Sequence, residues 1–137
     1  MKPVNSAFFH YLTAALTGGA DDDDLSQKFF DVDPNNPDII KKIIADVFAP
    51  YFRNYSLTFK NKAKDCLGFY LSTGKIDFEN EFNANLLPID TPTNCKLFYT
   101  WVWEAFFPNE DFEHYSTNDY FEFYDINEPL NIFKQKL

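Results

Sequence analysis

The chain has 137 residues, with 21 Asp or Glu against 12 Lys or Arg and a net charge of −9. Apolar residues make up 45%, and Phe, Tyr and Trp alone 20%, which is too much large apolar side chain for a disordered acidic tail. Neutralising a nucleic-acid backbone takes clustered Lys and Arg, and the single arginine, Arg53, argues against direct nucleic-acid binding and equally against an anionic membrane surface. One domain over 1–137 is the expected organisation, because two cores cut from this length would each be marginal.

Asn5-Ser6 precedes Ala7, Phe8, Tyr11, Leu12, Ala15 and Leu16 at helical spacing, and Gly18-Gly19 is the natural stop. Read as a signal peptide, Ala7–Leu16 lacks a strong cationic head. No apolar stretch approaches the roughly 18 residues of a spanning helix, so a soluble, cytoplasmic protein is expected. The like charges Asp21–Asp24 predict a solvated loop, followed by one helical turn over Leu25–Phe30.

Asn36-Pro37-Asp38 combines a capping side chain, a first-turn proline and an acid at a helix start. Ile39, Ile40, Ile43, Ile44, Val47, Phe48, Tyr51 and Phe52 then line one face, and Pro50 should kink or end the helix. A further helix begins near Ser56, with Phe59, Ala63, Cys66, Leu67 and Tyr70 on its inner face and Thr73-Gly74 at its close. Asp77 caps a short helix ending at Leu87-Pro88. Thr91-Pro92 repeats the cap-then-proline pattern ahead of a helix that is apolar nearly all round, which makes it the central buried one, with Trp101 in the core and Pro108-Asn109 as its stop. Phe121–Tyr124 fits a helix or a short strand, and Pro129 opens a last helical turn through Ile132 and Phe133. The fold class that follows is all-α: a single-domain bundle of five or six helices around a central aromatic-rich helix.

No constellation marks a catalytic site. His10 and His114 lie far apart, on the wet side of a helix and in a charged loop. Glu104, between Trp103 and Ala105, would have to be paired or protonated if buried, and is expected to face solvent. Asp31-Val-Asp33-Pro-Asn35 resembles the start of a calcium loop, but position six is Asn36 and position twelve is Lys42, where glycine and glutamate are required. Cys66 and Cys95 form no ligand pattern and read as small buried hydrophobes. No cofactor, metal or enzymatic activity is expected.

Charge is unevenly distributed along the chain. Residues 1–37 carry −4, residues 38–75 carry +4, residues 76–133 carry −11 with Lys96 as their one basic side chain, and residues 134–137 carry +2. Within the acidic half, residues 110–125 interleave acids with rings. Rings give rigid desolvated contact and carboxylates give steering and charged hydrogen bonds, so Glu110, Asp111, Glu113, Tyr115, Asp119, Tyr120, Glu122, Tyr124 and Asp125 are the candidate partner-binding residues. The competing reading puts Phe112, Phe121, Tyr124 and Tyr120 in the core with the acids outside.

This acidic, ring-bearing stretch and the overall charge resemble the small immunity proteins with which bacteria neutralise nuclease toxins, of the bacteriocin and contact-dependent growth-inhibition kinds. The resemblance is one of type and matches no family motif position by position. It implies a soluble inhibitor that occludes a basic toxin, a nuclease in the first instance, without chemistry of its own. A regulatory adaptor or nucleic-acid-mimicking protein is the alternative, followed by a small enzyme. Oligomeric state is not legible in the sequence.

Overall fold

The computed structural model describes residues 1–135, so the basic tail at 134–137 lies partly outside it. The described chain is mostly helical. It runs through β1 (Lys2–Val4), 3₁₀ segments at Ser6–Tyr11 and Gly19–Asp21, α1 (Asp23–Phe29), α2 (Pro37–Ile43), a π-helical stretch (Ile44–Phe48), α3 (Ala49–Arg53), α4 (Leu57–Thr73), α5 (Phe78–Ala84), α6 (Cys95–Phe106), β2 (Tyr120–Glu122) and α7 (Asn127–Gln135). The expected helical class holds. A two-stranded parallel sheet joins it, with Lys2 opposite Tyr120 and Val4 opposite Glu122.

Local capping sets several helix starts where the sequence places them. Asn36 accepts from the Asp38 and Ile39 N–H groups, with Pro37 as first helical residue. Ser56 accepts from Phe59 N–H at 3.2 Å and Asp77 from Asn80 N–H at 3.0 Å. Gly74 closes α4 at φ 70°, a left-handed turn that suits glycine. Asp21–Asp24 is more than a solvated loop: Asp22 caps α1 through Leu25 N–H, and Asp23 and Asp24 occupy its first turn, where negative charge suits the helix dipole.

Pro50 neither ends nor breaks its helix. The preceding stretch widens to π geometry, so Ala49 N–H donates to Ile44 C=O five residues back, and the proline then falls at the start of α3. Three other boundaries differ from the sequence reading. The segment after Asn5 winds as 3₁₀ rather than α, with Leu12 N–H donating to Phe9 C=O and Leu16 N–H to Thr13 C=O. This tighter winding aligns residues three apart, and Phe8, Phe9, Leu12 and Leu16 are all buried. α5 stops at Ala84, and Leu86 takes a left-handed φ of 50°. α6 starts at Cys95 under an Asn94 cap, because Thr91 and Thr93 are engaged elsewhere: Thr91 Oγ1 donates to Asn83 Oδ1 and Thr93 N–H to Asn35 Oδ1.

α6 is the central helix, packing on α2, the π stretch, α3, α4 and α5. Its buried side carries Cys95, Phe98, Tyr99, Val102 and Trp103. Trp101 is not its core tryptophan. It is half-buried at the rim with Lys41 Nζ 5.4 Å from its ring centroid, whereas Trp103 is 2% exposed and its Nε1 donates to Glu110 C=O at 2.7 Å. Two residues of helix rotation separate these side chains by roughly 200°, enough to move one out of the core.

Replacing Trp103 by Ala is therefore expected to cost about 3–5 kcal/mol, the range for a buried large aromatic. The Trp101→Ala change should cost clearly less. Urea unfolding of the two variants checks this, and equal losses would refute the assignment of α6's inner face.

Candidate functional site

The segment that follows α6 forms a strap across α4. The inner face of α4 buries Phe59, Ala63, Cys66, Leu67 and Tyr70. The strap covers the other side, so residues 66–71 are buried all round. Its central contact is Tyr115 on Gly68. A Cβ at position 68 would lie 2.3 Å from Tyr115 Cε2, so only glycine lets the ring lie on the helix backbone. Tyr115 OH donates to Asp65 at 2.9 Å and Ser72 Oγ donates to Tyr115 C=O at 2.7 Å. Asp65, Gly68 and Ser72 share one face at helical spacing.

Lysines hold the two arms of the strap. Lys64 pairs with Glu110 at 3.1 Å and Lys62 with Glu128 at 3.2 Å. Two residues apart on α4, these lysines lie on opposite flanks, so the strap straddles the helix. Between them, Tyr120 packs toward Phe69 and Tyr70 OH donates to Glu122 at 2.8 Å. The buried Asn5 fastens the descending arm. It donates to Asp125 C=O at 2.7 Å and to Glu128 at 3.0 Å, and accepts from Asp125 N–H at 3.2 Å and Ala7 N–H at 3.0 Å.

The nine candidate residues separate into two groups and one exclusion. Tyr115 is 4% exposed, so its ring is core and offers no contact surface; this corrects the sequence reading, which could not see Gly68 beneath it. Glu110, Asp111 and Glu113 sit in the loop after α6, where Glu110 faces Lys64 and Asp111 lies 3.5 Å from His114 Nδ1. Asp119, Tyr120, Glu122, Tyr124 and Asp125 line the strand arm, with Tyr120 and Asp125 half-buried and the others exposed.

The rings in this arm point where the core reading did not put them. Phe121 is 41% exposed, Phe123 58% and Tyr124 62%, with Ile126 exposed beside them; of the four rings that reading assigned inward, Phe112 and Tyr120 are half-buried. Strand alternation explains the split. Tyr120 and Glu122 face α4, so Phe121 and Phe123 face away. Phe121 and Phe123 were outside the candidate list, and the signal that finds them is this alternation, legible only once 120–122 is known to be a strand. The acids of the arm are not matched by lysines one for one: among the described residues Lys62 and Lys64 pair with Glu128 and Glu110 only.

The rest of the molecule holds acids and thiols in structural roles. Glu104 is exposed as expected, and Cys66 and Cys95 are buried and free. Burial, with Glu81 and Asp65 adding to it, pushes the Cys66 thiol well up, and Cys95 is raised to about 11 by burial and then by Glu79 and Asp77. Asp33 accepts from Asn35 N–H at 2.9 Å, so that turn holds its own backbone. Four surface depressions of 190 to 470 Å³ are lined by none of His10, His114, Glu81 or Glu104.

Two outcomes follow. Gly68→Ala should destabilise by about 1–3 kcal/mol through overpacking, and Tyr115→Ala should cost less in the Gly68→Ala background than in the parent; a cycle that is additive refutes the ring-on-glycine contact. Glu81 is raised above the usual carboxylate range by burial, opposed by His10 and reinforced by Asp77. The native chain thus holds that proton more tightly than the unfolded one, and this stability is complete in acid and lost as pH rises through the raised value. Thermal melts should show Glu81→Gln gaining over the parent at neutral pH and matching it near pH 4, about the ordinary carboxylate pKa; an equal gain at both refutes the burial effect. No protein-family model, curated protein or solved structure matches the chain, so the functional reading rests on its own geometry.

Proposed function

We propose that the protein is a soluble binding protein that neutralises a cationic partner, in the first instance a bacterial nuclease toxin, by covering its basic surface with the strand arm of the strap. The observation that carries this reading is the exposure of Phe121, Phe123 and Tyr124 beside Asp119, Glu122 and Asp125. Exposed rings on one short segment supply the desolvating centre of an interface, and an acidic rim steers a basic partner and disfavours acidic ones. The net −11 over residues 76–133 gives that field its sign. Nucleases that act on phosphate backbones need basic surfaces, which is the complement this arm offers. No step of covalent chemistry is required of the inhibitor.

The test is protection in cells. Co-expression against a panel of basic nuclease toxin domains should restore growth against a cognate toxin, through a one-to-one complex whose association slows with salt. Combining Asp119→Lys and Asp125→Lys with Phe123→Ala and Tyr124→Ala should weaken that complex by roughly 100-fold, as loss of two ring anchors and reversal of two rim charges implies, and abolish protection. Reversing Asp21, Asp23 and Asp24 to Lys should leave both intact. Protection that survives the arm variant, with the fold verified by circular dichroism, overturns the reading, as does a parent protein that protects against no basic toxin.

A further inference from the structure

The sheet that carries the exposed rings has an open edge. Lys2 N–H donates to Asp119 C=O at 2.9 Å and Phe123 N–H to Val4 C=O at 2.9 Å. In this parallel register the odd residues 119, 121 and 123 turn their backbone toward β1. Tyr120 and Glu122 turn theirs the other way. Tyr120 N–H is taken by Ser116 C=O at 3.1 Å. Among the described residues nothing pairs with Tyr120 C=O, the N–H and C=O of Glu122, or Tyr124 N–H. Glu122 and Tyr124 are exposed, so these groups form a short template for one more strand.

We infer that an extended cationic segment of the partner adds to this edge as a third strand. The inference rests on the docking role proposed above and specifies its mode. Main-chain bonds to Tyr120, Glu122 and Tyr124 would give register, and alternate side chains would give specificity. On one face the added strand meets Phe121 and Phe123, which suits apolar side chains. On the other it meets Glu122, which suits lysine or arginine there, and Asp119 and Asp125 flank the ring face at the strand's two ends, where a basic residue also fits. The occupant fitted is thus a segment alternating basic and apolar residues. A second copy of this chain is disfavoured at the same edge, because it would bring Asp119, Glu122 and Asp125 against their own equivalents.

The probe is a seven-residue peptide of alternating lysine and valine, acetylated and amidated, with a control N-methylated at the edge-facing positions. The control keeps charge and side chains but loses the main-chain donors. With the full chain, the unmethylated peptide should bind and slow hydrogen exchange at the Glu122 and Tyr124 amides. The methylated one should bind about tenfold more weakly, as loss of about two net hydrogen bonds implies, and give no protection. Equal affinity of the two peptides, or binding without protection at Glu122, overturns strand addition while leaving the acidic docking role standing. Binding by neither overturns strand addition as well, and the cell-protection experiment then decides separately whether the docking role fails with it.

Discussion

The seating of Tyr115 on Gly68 is the contact from which the rest of the C-terminal architecture follows. A helix as long as α4 ordinarily buries one face. Here the missing side chain at position 68 lets a second layer approach its backbone, and the Asp65 and Ser72 hydrogen bonds orient that layer. Once Tyr115 is fixed, the chain has only a few residues in which to turn before Tyr120, which sets where β2 can lie. Steric complementarity at one glycine therefore determines the placement of a strand and of the rings it displays.

Electrostatics plays a supporting part in that placement. Lys62–Glu128 and Lys64–Glu110 are partly exposed pairs, each worth about 0–1 kcal/mol, so they align the arms more than they stabilise them. Asn5 does more per residue. It is buried, spends both its amide groups, and ties the first helical turn to the last third of the chain. Leaving such groups unpaired in the interior costs about 1–3 kcal/mol each. Lys62 and Lys64 of α4 are spent on the ends of the strap, and the acids between those ends keep their field outward.

The small sheet has the same logic. An isolated pair of three-residue strands is marginal in water, and this one persists because Val4, Tyr120 and Glu122 rest on α4. Among the described residues its other face has no such support, which leaves Phe121 and Phe123 in solvent beside acids. Edge acids of this kind keep like edges from pairing with each other while remaining attractive to a basic chain.

What the sequence by itself determined are the features decided within a few residues of chain. Asn36-Pro37-Asp38, Ser56 and Asp77 cap helices because the capping oxygen and its N–H partners are near neighbours. The inner face of α4 follows from spacing alone, as does the acidity of residues 76–133, which no folding can change. Only the tertiary structure decided the 3₁₀ winding after Asn5, the late start of α6, the choice of Trp103 over Trp101 for the core, and the exposure of Phe121 against the burial of Phe69. Those depend on partners far away in sequence: Lys2 opposite Tyr120, Thr93 on Asn35, Tyr115 on Gly68. An aromatic side chain has the same local preferences wherever it stands, and what is laid over it settles whether it becomes core or surface.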